Sequence, residues 1–376
     1  MDTTLAPPAD PLHAIVHPDP TPYYAELAAT RPLFFDGTLG WWIAAGADAV
    51  DAVLGSAACR VRPVGEPVPK AVAASPTGTF FSRLVRQIDG PDHGARKAMV
   101  MAALGRLDVA ALAARAHRQA YAALPDVAHL DTALRADAHF RVPLATIAQT
   151  LLDDRADTAA CQADIAAYLA ALSPGADAST VQHADTAVSR LQQRFADSPL
   201  ATDDDDAQIS NLAALLAQTY DACAGLLGNC IVVLSRQPAL ADRLRAQPAE
   251  IEPFVREVLR LDAPVQNTRR FVAQDTTLLG QPMRAGDKIL VLLAAANVDA
   301  KANPDPLRFD MARVQPRLWT FGGGDHRCPA ETLAVVIARE TVRHLLSLAS
   351  AARWLAGLGE VTYRPSPNAR IPLFHA

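Results

Sequence analysis

The sequence predicts a mainly α-helical protein with a small β region, and three observations carry that prediction. Residues 81–262 are Ala-rich segments of helix length, punctuated by Gly90-Pro91, Pro125, Ser173-Pro174 and Ser198-Pro199. Between residues 264 and 293 the apolar period shifts towards two, with strand candidates at Thr276–Gly280 and Ile289–Leu293 around a Gly286-Asp287 turn. With 376 residues, 50% hydrophobic and 20% charged, the chain can enclose a large core and is too polar for a multi-span membrane protein.

Taken in order, residues 6–22 hold six prolines, so residues 1–21 read as an irregular arm and residues 22–376 as one domain without internal repeats. Tyr23–Thr30 predicts a short helix, Trp41–Ile43 a strand and Asp48–Leu54 a helix. Four prolines between Cys59 and Pro76 predict a long loop of the kind that forms a lid or binding loop. The run Asp203–Asp206 points its carboxylates several ways, which suits a solvated linker favouring the start of the next helix better than a metal site. Leu212–Leu234 is the longest apolar stretch, but Gln218, Tyr220, Asp221 and Asn229 interrupt it, as in a buried helix rather than a lipid-facing span. Residues 303–320 read as coil, and Pro329 to about Leu348 as a final long helix.

Composition excludes several functions. The formal net charge is -5, from 35 Lys plus Arg against 40 Asp plus Glu, which lacks the basic excess that nucleic acid would need. Cys59, Cys161, Cys223, Cys230 and Cys328 are an odd, dispersed set with no C-x-x-C pair, so neither a disulfide framework nor a structural zinc site is expected. Residues 1–8 do not read as a signal peptide, and the expectation is a cytoplasmic protein without a membrane partner.

The segment Phe321-Gly322-Gly323-Gly324-Asp325-His326-Arg327-Cys328-Pro329-Ala330-Glu331 carries the chemistry. Its glycines let the backbone lie close to something flat. Cys328, just before a proline suited to the first helical position, is expected at the helix N-cap, where backbone N–H groups and the dipole lower a thiol's pKa. Such a thiolate serves as a nucleophile or as an axial metal ligand. No phosphate-loop pattern is present, and His326 is poorly placed as a base for Cys328. A lone thiolate ligand suits a metal whose other positions are filled by a macrocycle, as in haem.

These residues resemble the haem-binding loop of the cytochrome P450 family, F-G-x-G-x-H-x-C-x-G in bacterial members. The match runs through Phe321, Gly322, Gly324, His326 and Cys328, with Ala330 where glycine is usual. The resemblance implies that Cys328 binds the iron of haem b and that Phe321, Gly322 and His326 contact the cofactor. Glu257-Val258-Leu259-Arg260 is similar to the family's E-x-x-R helix motif; Glu340-Thr341-Val342-Arg343 has the same spacing, but only the first copy has the expected position. By resemblance, Glu257, Arg260 and Arg313 form a structural cluster. His93 in Asp89-Gly90-Pro91-Asp92-His93, Lys97 and Arg270 look like haem-propionate partners, with Arg96 a substitute for Lys97.

The helix around residues 211–236 matches the family's long central helix, which usually carries an acid followed by threonine above the haem. Here the acid is Asp221 and the threonine is replaced by Ala222, which removes the hydroxyl that helps deliver protons during oxygen activation. A substrate group, water beside Asp221, or Thr219 one turn earlier would have to supply it. The resemblance implies a soluble haem-thiolate monooxygenase acting on a small secondary-metabolite-type molecule. Its pocket is expected from the 61–84 loop, the 215–222 helix face and residues 265–268. With no flavin or iron–sulfur domain in the sequence, a separate ferredoxin or flavodoxin is the expected electron donor, meeting Arg327, Arg339 and Arg343. Ala222 motivates a second reading, a peroxide-using, coupling or rearranging enzyme. A third is a non-catalytic haem sensor.

Overall fold

A computed structural model describes residues 5–124, 138–154, 156–201, 205–349 and 351–375. Pro125, Asp203 and Asp204 lie outside them. Helices dominate, and short acidic side chains start many of them: Asp108, Asp157, Asp177 and Asp205 each accept backbone N–H bonds at a helix N-terminus. Asp205 therefore caps the long helix Asp206–Arg236, as the linker reading of the acidic run expects.

That 31-residue helix organises the molecule because it is apolar around most of its circumference. Its first half, through Leu212, Leu215 and Leu216, packs with Phe80, Tyr168, Phe195 and Ile337 in one core. Its second half, through Leu226, Leu227, Cys230 and Ile231, packs with Phe254, Val258 and Leu345 in another. Gln218–Ala222 falls between the two cores, which leaves space for something that is not protein. Among the described residues no single helix is long and apolar enough to cross a membrane.

The strands are β1 (Leu33–Asp36), β2 (Trp41–Ala44), β3 (Cys59–Arg60), β4 (Thr268–Val272), β5 (Thr276–Leu278), β6 (Gln281–Met283), β7 (Lys288–Val291), β8 (Val361–Tyr363) and β9 (Pro372–Phe374). Five form a sheet in the order β1-β2-β7-β4-β3, with β2 and β7 parallel and the other pairs antiparallel. β5–β6 and β8–β9 are separate hairpins. The expected strand to Leu293 ends at Val291: Leu292 N–H still donates to Ala44 O, and Leu293 then opens a short helix. The proline-rich loop carries β3 and a 3-10 turn at Lys70–Val72 before Ser75 caps the helix Pro76–Arg83 with its hydroxyl.

The N-terminal arm is less irregular than its prolines suggest. It includes a 3-10 turn at His13–Val16 with Ala14 and Ile15 buried. Arg370, itself buried, donates to Ile15 O at 2.9 Å, His17 O at 2.7 Å, Pro18 O at 3.1 Å and Asp262 Oδ1 at 2.9 Å. Its guanidinium stacks 3.4 Å from the Tyr363 ring centre.

The two E-x-x-R copies differ in their surroundings. Arg260 lies 2.7 Å from Glu257 with both side chains at most 2% exposed, and Arg313 Nε donates to the same carboxylate at 3.0 Å. The two arginines also donate to the carbonyls of Asn297, Pro304, Asp305, Pro306 and Arg308, so the cluster organises the coil before Phe321. Arg343, by contrast, is 46% exposed and 3.7 Å from Glu340.

Candidate functional site

The Phe321–Cys328 loop folds back on itself: Cys328 N–H donates to Phe321 O at 2.8 Å and Gly322 N–H to Trp319 O at 2.6 Å. Gly322 and Gly324 have positive φ, 71° and 58°, and a Cβ on Gly324 would collide with Leu54 O. Glycine is required there by the backbone itself. Cys328 is thereby held on the wall of a cavity of about 460 Å³.

One expectation about Cys328 is corrected. The helix begins at Glu331 with Ala330 as its N-cap, because Pro329 and Ala330 form a turn, so Cys328 stands two residues before the cap. Ala330 N–H still points at Sγ, 3.4 Å away. Burial nevertheless pushes the Cys328 thiol up, against the pull of that N–H and of Lys97 and Arg86. The helix terminus alone does not make a thiolate here.

The residues expected to hold propionates converge on the same cavity from three distant segments. His93, Lys97, Arg270 and His326 all line it, with Phe321, Gly322 and Cys328. The His93 and His326 rings lie 4.2 Å apart, and His326 Nε2 is 3.1 Å from Asp89 Oδ1. Burial pushes the Asp89 carboxyl up, but hydrogen bonds from His326 and the Val61 N–H outweigh it and hold the group below the usual range. His93 Nε2 is buried with no partner among the described residues, and burial, reinforced by the positive fields of His326 and Lys97, pulls that imidazole down. Lys97 donates to Arg327 O, while Arg96, half-buried, donates to Ser82 O and does not line the cavity.

On the central helix, Gln218, Thr219, Ala222 and Cys223 line the cavity. Asp221 does not. The expected proton-relay acid pairs instead with Arg364 at 2.6 Å, because successive helix positions diverge by about 100° and Asp221 falls outside the face that Ala222 and Cys223 turn inward. Thr219 Oγ1 donates to Leu215 O at 2.6 Å, so its hydroxyl is engaged by the helix. The pocket expectation is also amended: Val61, Arg62 and Val85–Gln87 form the wall assigned to the 61–84 loop, together with Leu215 and residues 264–265 and 267–271.

A profile of the cytochrome P450 family matches residues 251–348, from just before Glu257 to the end of the helix after Cys328. The whole architecture is shared with solved structures of the same family: CalO2 superposes with a TM-score of 0.79 at 22% identity over 98% of both chains. P450BioI, solved in complex with acyl carrier protein, gives 0.77 at 19% identity over 94% of this chain and 96% of that one. Residues 251–348 of this chain thus match the cytochrome P450 family, and the chain as a whole has the fold of its solved members.

Curated P450 relatives align through limited segments. The vitamin D(3) 25-hydroxylase of Pseudonocardia autotrophica is 34% identical over 157 residues, 42% of this chain and 39% of that protein. The monooxygenase PikC of Streptomyces venezuelae is 34% identical over 157 residues, 42% of this chain and 38% of its own length. The putative cytochrome P450 133B2 of Xylella fastidiosa (strain 9a5c) is 34% identical over 131 residues, 35% of this chain and 33% of its own length. The matched segments thus span about a third to two fifths of these relatives.

The family implies a haem-iron cofactor, and the P450 cavity fits it. Five Lys or Arg side chains, Arg62, Arg86, Lys97, Arg269 and Arg270, line it with no Asp or Glu among them, as a flat cofactor bearing two carboxylates requires. Desolvation holds the Lys97 ammonium and the Arg270 guanidinium below their ordinary pKa values. An anionic ligand would relieve both. Arg86 is the cavity residue that sequence reasoning missed; a single arginine on a loop before a helix carries no signal until the fold turns it inward.

Proposed function

We propose that this chain is a cytoplasmic haem b monooxygenase that oxidises a small organic molecule, with electrons from a separate ferredoxin or flavodoxin. The observation that carries the reading is the placement of Cys328 in a carboxylate-free cavity whose wall also presents His93, Lys97, Arg270 and His326. Haem held through a thiolate supplies the activation of dioxygen and the insertion of one oxygen atom into substrate.

Residue by residue, Cys328 Sγ anchors the iron, with the Ala330 N–H directed at the sulfur. Phe321 and Gly322 shape the wall beside it. Lys97, Arg270, His93 and His326 receive the propionates, Asp89 fixing His326. Glu257, Arg260 and Arg313 hold the coil that leads into the cysteine loop. Ala222 leaves room at the central helix and contributes no proton, so Asp221 acts only through water or after leaving Arg364.

The test is the spectrum of the reduced carbon monoxide complex. The wild type is expected to show the strongly red-shifted band of thiolate ligation, and Cys328→Ala to lose it. A variant that kept the band would remove Cys328 as the ligand. Donor docking is supported by Arg327, next to Cys328 in sequence and 48% exposed, though less strongly than charge alone suggests: Arg327 pairs with Glu331 at 2.7 Å, the half-buried Arg339 with Glu252 at 3.0 Å and Arg343 with Glu340 at 3.7 Å. Charge reversal at Arg327 is expected to slow reduction at low salt.

A second reading, peroxide-driven oxidation, coupling or rearrangement, draws on three observations together. Ala222 has no hydroxyl, Thr219 Oγ1 is bonded to its own helix, and Asp221 is bonded to Arg364. Turnover with peroxide alone, compared with turnover on a ferredoxin system, separates the two. Product from neither would leave a haem sensor.

A further inference from the structure

The central helix turns one stripe towards the cavity: Leu215, Gln218, Thr219, Ala222, Cys223 and Leu226, spaced alternately by three residues and by one, as a single helical face requires. Most of that stripe offers no hydrogen bond to a ligand. Leu215, Ala222 and Leu226 carry no polar side-chain atom, and Thr219 Oγ1 is engaged by Leu215 O at 2.6 Å. Burial pushes the Cys223 thiol up to about 12, and Cys328 adds to the push, so the group stays protonated. Gln218 remains. It is half-buried, and its amide has no hydrogen-bond partner among the described residues.

Its place on the stripe is informative. Cys328 and Cys223 lie near enough for the charge of one to act on the other, so the 218–223 part of the helix stands over the side of the cavity that holds Cys328. Gln218 and Ala222 are one turn apart, with Cβ atoms about 5–6 Å from each other. Side chains on a helix lean towards its N-terminus, so a hydroxyl at position 222 would lie over the turn from which Gln218 projects. A glutamine amide offers an acceptor oxygen and two N–H donors without carrying charge. Its Oε1, accepting one O–H of a water, leaves the second O–H aimed into the cavity, which is the service a threonine hydroxyl performs.

We propose that Gln218 is the positioning residue for proton delivery in this protein, its amide holding a water beside Ala222 in the place of the usual threonine hydroxyl. This rests on the haem monooxygenase reading and deepens it, because it names the group that Ala222, Thr219 and Asp221 do not supply. The held water gives one proton to the reacting oxygen and regains one from the water behind it, while Gln218 stays neutral and passes no electron. A proton delivered to the outer oxygen takes dioxygen to two waters, with four electrons from the ferredoxin and four protons when no substrate is present. A misplaced proton releases hydrogen peroxide after two of each.

The experiment compares the haem-loaded wild type with Gln218→Leu and Gln218→Val, so that one variant carries the comparison if the other fails to hold haem. The first readout needs no turnover: the infrared C–O stretch of the reduced carbon monoxide complex. A hydrogen-bond donor beside the bound gas polarises it and lowers that stretch, so both variants are expected to raise it while keeping the red-shifted band of thiolate ligation. The second is peroxide formed per dioxygen consumed by the ferredoxin-reduced protein without added substrate, which is expected to rise several-fold. The third is rescue, since adding Ala222→Thr to either variant should return the peroxide fraction towards that of the wild type. The proposal requires all three results, and an unchanged stretch, an unchanged peroxide fraction or a failed rescue each overturns it with the thiolate band intact. A wild type that binds haem without that band would instead overturn the monooxygenase reading, and the role of Gln218 with it.

Discussion

Asp221 Oδ1 lies 2.6 Å from Arg364 Nη2, and the pair turns the acid away from the cavity that the next residue, Ala222, lines. Both side chains are about one-third exposed, so water screens the attraction, and the pair contributes at most about 1 kcal/mol to stability. It is weak enough to open during a catalytic cycle. Arg364→Gln is therefore expected to leave the thermal midpoint within a few degrees of wild type while changing the ratio of product to released peroxide. An unchanged ratio in ferredoxin-driven turnover would remove Asp221 from proton delivery.

Restoring the missing hydroxyl is the complementary experiment. Ala222→Thr places a donor on the cavity wall one turn beyond the engaged Thr219. With dioxygen as oxidant, peroxide released per product should fall several-fold. If product disappears while the carbon monoxide band persists, the substrate itself occupies that space.

The Glu257 cluster gives a stability prediction of the opposite size. Glu257→Gln leaves Arg260 and Arg313 without their shared counter-charge, one of them fully buried, which costs about 3–5 kcal/mol. The expected outcome is a large drop in the urea midpoint and reduced haem content. Arg343→Gln, in the second copy of the same spacing, should cost less than about 1 kcal/mol because its partner is 3.7 Å away and the arginine is half in water.

Acid lability has an identifiable contributor in His139. It is 2% exposed, and burial, helped by the positive Arg364 and opposed by the Pro372 backbone, pulls it from 6.5 to about 4. The unfolded chain therefore takes up this proton first as pH falls. The stability is complete above pH 6.5 and is lost as pH falls towards about 4, roughly 3 kcal/mol in all. His139 packs 4.6 Å from Phe140 and 5.6 Å from Phe374. His139→Phe should flatten the urea midpoint over that pH range without lowering it at neutral pH. A pH dependence equal to wild type would show that the group does not titrate on unfolding.

Local features were legible in the sequence where the chemistry is local. The Gly322 and Gly324 conformations, the buried central helix and the Glu257-to-Arg260 spacing all depend on neighbours within a turn or a loop. Contacts set by distant packing were not. Asp221 carries the same sequence signal whether it faces the haem or Arg364, more than a hundred residues further on. Arg86 becomes a cavity residue only because Asn211, 126 positions from Val85, holds that segment against the central helix. The expected N-cap at Cys328 failed by two residues because Pro329 was read as the first helical position, whereas it begins a turn before Ala330.

The clasp that Arg370 forms over Ile15, His17 and Pro18 joins groups as much as 355 positions apart. Those carbonyls can meet their donor only once Arg370 has been made, so the arm made first docks later than the segments that pack on nearer neighbours, and a chain cut before Arg370 would leave the arm without its clasp.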